Sequence, residues 1–280
     1  NMLTNRLLRL GKPRSRTLTL ALVGLGLVFP ILVTELTGSM FWISVAIQFL
    51  IFGIVVIGYD LLYGYTGLLS FGHAMFIGGA TYITAISMVH FDLPFFVAAA
   101  AALLGIGLIA IVVGVVSLQL TELYFAIITL AFAQLIYQII IQFREYTGGV
   151  NGMRVSFPEV AGVALSDRLV AYYVALIVLI LIYFLARRIV NSPFGRIIQG
   201  VKENEERLEM LGVDPFKHKL AVFVMSGLIA GIAGILYPLY LGFVDPSIAH
   251  WLTSGDVLIM SLIGGFQSLW GPIVGVGFYL

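Results

Sequence analysis

Residues 41–90 read FWISVAIQFLIFGIVVIGYDLLYGYTGLLSFGHAMFIGGATYITAISMVH. They hold no Lys or Arg and a single acid, Asp60. Two long apolar runs are separated by Gly, Thr, Ser and His between Tyr63 and His73. A helix crosses a bilayer with about 20 mostly apolar residues, and each run supplies that length. A water-soluble fold would need far more polar surface to carry so much uncharged apolar chain. The interruption sharpens the reading. Irregular backbone inside a membrane is tolerated where it is buried in protein or lines a cavity, so this stretch predicts a broken or re-entrant helix near 63–73.

Working outward, no basic residue occurs between Arg16 and Arg144. The 15 Lys and Arg fall in three stretches: Arg6 to Arg16, Arg144 to Arg168, and Arg187 to Lys219. The sequence is 60% hydrophobic and 10% charged. Its 31 Gly suit closely packed membrane helices. With no Cys, disulfides, thiolate metal sites and Cys nucleophiles are excluded. Spans are expected near 17–36, 41–62, 72–90, 94–118, 122–143, 169–187, 220–243 and 255–279. The predicted fold is an all-α polytopic membrane protein of about eight spans, one transmembrane domain over residues 1–280. The run from Thr17 to Val33 is long for a secretory signal and lacks a small-x-small cleavage site, so it reads as the first span. The chain is still apolar at Leu280, which leaves room for a further helix beyond it.

Short loops rich in Lys and Arg stay in the cytoplasm. The basic N-terminus is therefore expected there, and six spans return the chain to the same side at Arg187. The 144–168 loop, with as many acidic as basic residues, then lies outside.

Residues 187–219 form a polar loop within the domain. Asn191-Ser192-Pro193 reads as a capped helix start and Gly212 as a stop. Phe194, Ile197, Ile198, Val201, Leu208 and Leu211 recur near helical spacing, with Lys202, Glu203, Glu205, Glu206, Arg207 and Glu209 between them. Gly200 is the expected bend. The acidic run would meet anionic lipid poorly, which favours a helix seated in a groove of a protein partner.

Four ordered stretches carry a family resemblance: GYTGLLSFGHAMFIGGATY (64–82), TGGVNG (147–152), SPFGRIIQGVKENEERLEMLGVDPFKHKLAVFVMSGLIAGIAGILY (192–237) and LIGGFQSLWGP (262–272). The chain resembles the M-type permease subunits of branched-chain amino-acid ABC importers. The resemblance implies a heterodimer with an H-type permease, two cytoplasmic ATP-binding subunits and an extracytoplasmic substrate-binding protein. It places the assembly in a prokaryotic inner membrane and gives the helix around Lys202 to Leu211 the role of a coupling element docked on an ATPase. Residues assigned to that coupling are Pro193, Gly195, Arg196, Val201, Lys202, Glu203, Glu206, Arg207, Leu208, Leu211 and Gly212. The family pattern has two small residues after its Glu, where this chain has Arg207 and Leu208. No G-x-x-x-x-G-K-[ST] sequence occurs, so ATP is expected on the partner subunits and the chain is read as a transport subunit rather than an enzyme, with no cofactor, no nucleic-acid partner and the lipid bilayer as its surroundings.

Thr66, Gly67, Ser70, Phe71, His73, Gln134, Gln138 and Asn151 are the candidate path or gate residues, offering weak polar groups to a small zwitterion. Two other functions compete with this reading. A secondary transporter or channel for urea, amides or other amino acids would call for a midplane acid or a clear inverted repeat, and neither stands out. Tyr59-Asp60 and Ser254-Gly255-Asp256 bring an intramembrane aspartyl protease to mind, but its two carboxylates must share a proton. The topology puts Asp60 near the cytoplasmic face and Asp256 near the outer one.

Overall fold

The computed structural model describes residues 40–155 and 167–280, together with 24, 26–30, 159–160 and 163–164. Most of the expected first span and the whole N-terminal basic cluster lie outside the described residues. Helices dominate. In chain order they are α1 (Phe41–Tyr59), α2 (His73–Val89), α3 (Phe95–Ser117), α4 (Glu122–Gln142), the single turn α5 (Arg144–Thr147), α6 (Arg168–Val190), α7 (Pro193–Glu203), α8 (Glu205–Met210), α9 (Pro215–Leu241), α10 (Trp251–Gly264) and α11 (Trp270–Tyr279). Among the described residues, five helices are long and apolar enough to cross a membrane: α1 with its π-helical extension Asp60–Gly64, α3, α4, α6 and α9. The strands β1 (Met153–Arg154), β2 (Glu159–Val160), β3 (Val163–Ala164) and β4 (Phe243–Val244) are two residues each.

Burial sorts these helices into a centre and a rim. In α1 and α9, 61% of the most apolar stretch is buried, against 28% in α3 and α4. From Leu50 onward every residue of α1 is buried, so it presents apolar side chains all round. The inner stripe of α3 is small or slender, with Ala98, Ala102, Ile106 and Ala110 spaced by four. Its bulky Leu104 and Leu108 point outward. That is the inverse of a soluble helix and suits an element whose outer face meets lipid.

Helix directions follow from paired contacts. His73 meets Ser226 and Thr81 meets Gly234, both separated by 153 residues, so α2 and α9 run parallel. The Thr81 Oγ1 hydroxyl donates to the Gly234 carbonyl at 2.7 Å. A Cβ on Gly234 would collide with the Ile77 carbonyl, which is why glycine stands at this crossing. α3 is antiparallel to both: Gly79 faces Ile106 and Gly105 faces Ile83, while Gly107 faces Leu228 and Gly114 faces Leu220.

The apolar run 255–279 departs from the sequence expectation. It is not one span but a tight antiparallel hairpin of α10 and α11, with Gly264 against Gly271, Met260 against Gly275, and Asp256 bonded to Tyr279. The backbones touch at Gly264, Gly271 and Gly275, and a side chain at any of the three would strike carbonyl oxygen. The tip, residues 265–269, reaches the C-terminal end of α1.

Candidate functional site

Between Gly64 and His73 the chain leaves helical conformation while staying almost wholly buried. Its freed backbone groups find partners within the break and on neighbouring helices, as a buried break requires. Thr66 Oγ1 donates to the Leu61 carbonyl at 3.0 Å, and Phe71 N–H donates to Thr129 Oγ1 of α4 at 3.2 Å. Gly72 N–H is met by Ser70 Oγ at 3.1 Å, and Ala74 N–H by Ser254 Oγ of α10 at 2.8 Å. His73 is fully buried, with Nε2 2.7 Å from Ser226 Oγ. Ser226 has one hydroxyl proton and gives it to the Gly58 carbonyl at 2.7 Å. Its oxygen must therefore accept from His73, which fixes the proton on Nε2 and leaves Nδ1 a bare, unpartnered acceptor. Tyr59 packs edge-on against the imidazole at 4.8 Å.

Below the break lies a knot of four segments. Asp60 is fully buried at the start of the π turn. Its Oδ1 accepts from Gln267 N–H at 2.8 Å and its Oδ2 from Leu269 N–H at 3.3 Å. Both donors belong to the hairpin tip, where Gln267 and Leu269 have φ of 67° and 55° without being glycine. The carboxylate thus holds a strained turn in place. The Gly64 carbonyl, left open where the π turn ends, accepts from Gln267 Nε2 at 3.0 Å and from Lys202 Nζ at 2.7 Å. The Lys202 stem lies over Gly67, whose φ of 83° favours glycine. Tyr65 Oη closes the knot on the Gln267 carbonyl at 2.9 Å.

Lys202 comes from the polar loop, whose local structure follows its sequence closely. Ser192 Oγ accepts from Gly195 N–H at 3.2 Å, and Pro193 opens α7. Gly200 does not bend the helix. The split falls at Asn204, which is extended (φ −164°) and caps α8 by accepting from Arg207 N–H at 2.9 Å. α8 closes on Gly212 (φ 80°), with Val213 N–H on the Leu208 carbonyl and Gly212 N–H on that of Glu209, a Schellman end. Asp214 then caps α9, with Lys217 beside it holding its carboxyl below the usual carboxylate range. Lys219 pairs with Glu205, tying α8 to α9.

The chain matches the family described as the permease component of branched-chain amino acid transport systems, over residues 41–279. It belongs to that permease family. It is 27% identical to the high-affinity branched-chain amino acid transport system permease protein LivM of Salmonella typhimurium, over 93% of this chain. The same figures hold for LivM of Escherichia coli. A probable LivM of Methanocaldococcus jannaschii is 29% identical over 59% of the chain. The chain spans 66% of the length of the first two relatives. No solved structure matches.

Within this permease the residues assigned to coupling divide into two groups. Gly195 and Val201 are buried, and Gly195 lies so close to the Ile189 and Val190 carbonyls that a side chain would strike them. Leu208 packs over Gly200, and Lys202 reaches inward to Gly64. These four act inside the fold. Pro193, Arg196, Glu203, Glu206, Arg207, Leu211 and Gly212 face outward. Met210, which the helical pattern did not single out, is 83% exposed beside Leu211 at 73%, an apolar tip fringed by charge.

The path candidates also divide. Thr66, Gly67, Ser70, Phe71 and His73 all sit in the break, and Gln134 is half-buried on α4 with its Oε1 unpartnered. Gln138 and Asn151 are exposed. Asn151 lies on a turn built by Gly148, Gly149 and Gly152, all at positive φ. That turn is clamped by Thr147 Oγ1, which donates to the Ile140 carbonyl at 2.6 Å, and by the pairing of β1 with β4. Asp60 and Asp256 share no partner. The first is held by the hairpin tip, and the second accepts from Tyr279 Oη at 2.6 Å.

Proposed function

We propose that the chain is a transmembrane subunit of an ATP-driven importer for branched-chain amino acids, working beside a second permease, two cytoplasmic ATP-binding subunits and an extracytoplasmic binding protein. The observation that carries this reading is the family match over residues 41–279, which includes the break, the polar loop and the hairpin. The relatives' names supply the substrate class. In this reading the loop of α7 and α8 lies in the cytoplasm, and Met210 and Leu211 seat in an ATPase groove rimmed by partners for Arg196, Glu203, Glu206 and Arg207. Residues buried in the bundle give the loop a rigid base, so a shift of the groove moves α7 as a unit. Such a transition belongs to the hinge and shear class and makes no bond.

Thr66, Ser70, His73 and Gln134 are the groups we assign to the path or its gate. They carry no fixed charge, which fits selectivity residing in the binding protein. The test is uptake of radiolabelled leucine into proteoliposomes holding both permeases and loaded with ATP. Accumulation should require the ATP-binding subunits and be competed by isoleucine and valine. Leucine equilibration without those subunits would favour a channel or secondary transporter instead. Competition by urea or short amides alone would keep the transporter and replace the substrate.

A further inference from the structure

The Gly64 carbonyl is the meeting point of three elements that are far apart in sequence. It ends the π turn of α1, it opens the break, and it accepts two side-chain donors, Lys202 Nζ from the last turn of α7 and Gln267 Nε2 from the hairpin tip. A cation at a helix C-terminus is favoured by the open carbonyls there, and a charge-assisted bond is stronger than a neutral one. Lys202 is an exposed residue that directs its ammonium inward, and its stem covers Gly67. Asp60 stands one turn before Gly64, and its carboxylate accepts from the amide of the same Gln267 that reaches the carbonyl. The hairpin tip hangs on that carboxylate through Gln267 and Leu269 and is itself strained at both residues.

We propose that Lys202 is a positioning residue, the tether through which displacement of α7 reaches the break and the α10–α11 tip. The inference rests on the coupling role given to the loop above and adds its internal half: the residue that receives the movement inside the permease. When α7 stays seated, the ammonium pins Gly64 and, through the shared carbonyl, fixes Gln267. When α7 is drawn away, the bond opens, Gly64 loses its charged partner, and the strained tip and the break are free to rearrange together. A lysine suits this because its stem can follow a few ångströms of travel before the bond parts, and no other loop residue bonds to the break among the described residues.

The experiment uses the whole assembly in proteoliposomes and reads radiolabelled leucine taken up per ATP hydrolysed, for wild type, Lys202→Met, Lys202→Arg and Gln267→Leu. Methionine keeps the stem over Gly67 and removes the charge. The expected result is a fall of at least tenfold in the ratio for Lys202→Met, with Lys202→Arg within about threefold of wild type. The Lys202→Met/Gln267→Leu pair should be no worse than Lys202→Met alone, since both act on one carbonyl. A wild-type ratio in Lys202→Met, or losses in the pair that multiply, overturns the tether. If Lys202→Met does not assemble, the other two single variants decide: Gln267→Leu lowered with Lys202→Arg preserved supports the tether, and Gln267→Leu at the wild-type ratio overturns it. Failure of the coupling reading looks different, because wild type itself would then take up leucine without the ATP-binding subunits.

Discussion

Gly234 and Thr129 show how single atoms decide this fold. A Cβ on Gly234 would meet the backbone oxygen of Ile77, which cannot move aside as a side chain can. Gly234→Val should lower stability by ~1–3 kcal/mol through overpacking, seen as a drop in the melting temperature of the detergent-solubilised protein. Gly255→Ala, where nothing lies within 4 Å, should shift it little. Thr129 accepts from the Phe71 amide of the break. Thr129→Val leaves that part-buried donor without a partner, at a cost of ~1–3 kcal/mol, while Thr129→Ser should melt like wild type. The glycines could be read from the sequence as places of close approach, because small residues at helix interfaces follow from membrane packing. Thr129 could not. It sits in the apolar run FAIITLAFAQ (125–134) of α4, and its partner is 58 residues away, so no local pattern marks it.

The loop and the hairpin show what an element's pattern says and omits. The start and stop along 191–212 are written in Ser192, Pro193 and Gly212, each of which acts locally, whereas the caps at Asn204 and Asp214 emerge only from the structure. The face that meets a partner is not written there, because an amphipathic helix has one apolar stripe and the sequence does not say whether that stripe faces its own chain. Val201 proves to be buried in the permease and Leu211 exposed. Val201→Asp should therefore destabilise the fold itself, with a lower melting temperature and poor yield, because a buried charge lacks a partner. Leu211→Asp should melt as wild type does. The hairpin escaped detection for another reason: 255–279 is apolar on both sides of the turn, and its tip is held by Asp60, some two hundred residues earlier. Asp60→Ala strands two backbone donors, so it should lower stability by ~2 kcal/mol or more and speed hydrogen exchange at 265–269 before it does so in α2.

Across the whole molecule the parts form one line of contacts. An exposed apolar tip at Met210 and Leu211 stands on α7 and α8, α7 sends Lys202 to Gly64, and Gly64 opens the break that ends at His73 and Ser226. The absence of Lys and Arg between Arg16 and Arg144 was enough to predict membrane helices, because charge is costly in lipid wherever it falls. It was not enough to predict this line, which depends on pairs such as Lys202 with Gly64 that only folding brings together. In the proposed importer, force from the ATP-binding partners enters at the tip of α8. The most direct test measures ATP-driven leucine uptake by the reconstituted assembly carrying Leu211→Asp, with melting temperature as the control for folding. Melting should be unchanged and uptake reduced at least tenfold. Wild-type uptake by that variant would contradict entry of force at this tip.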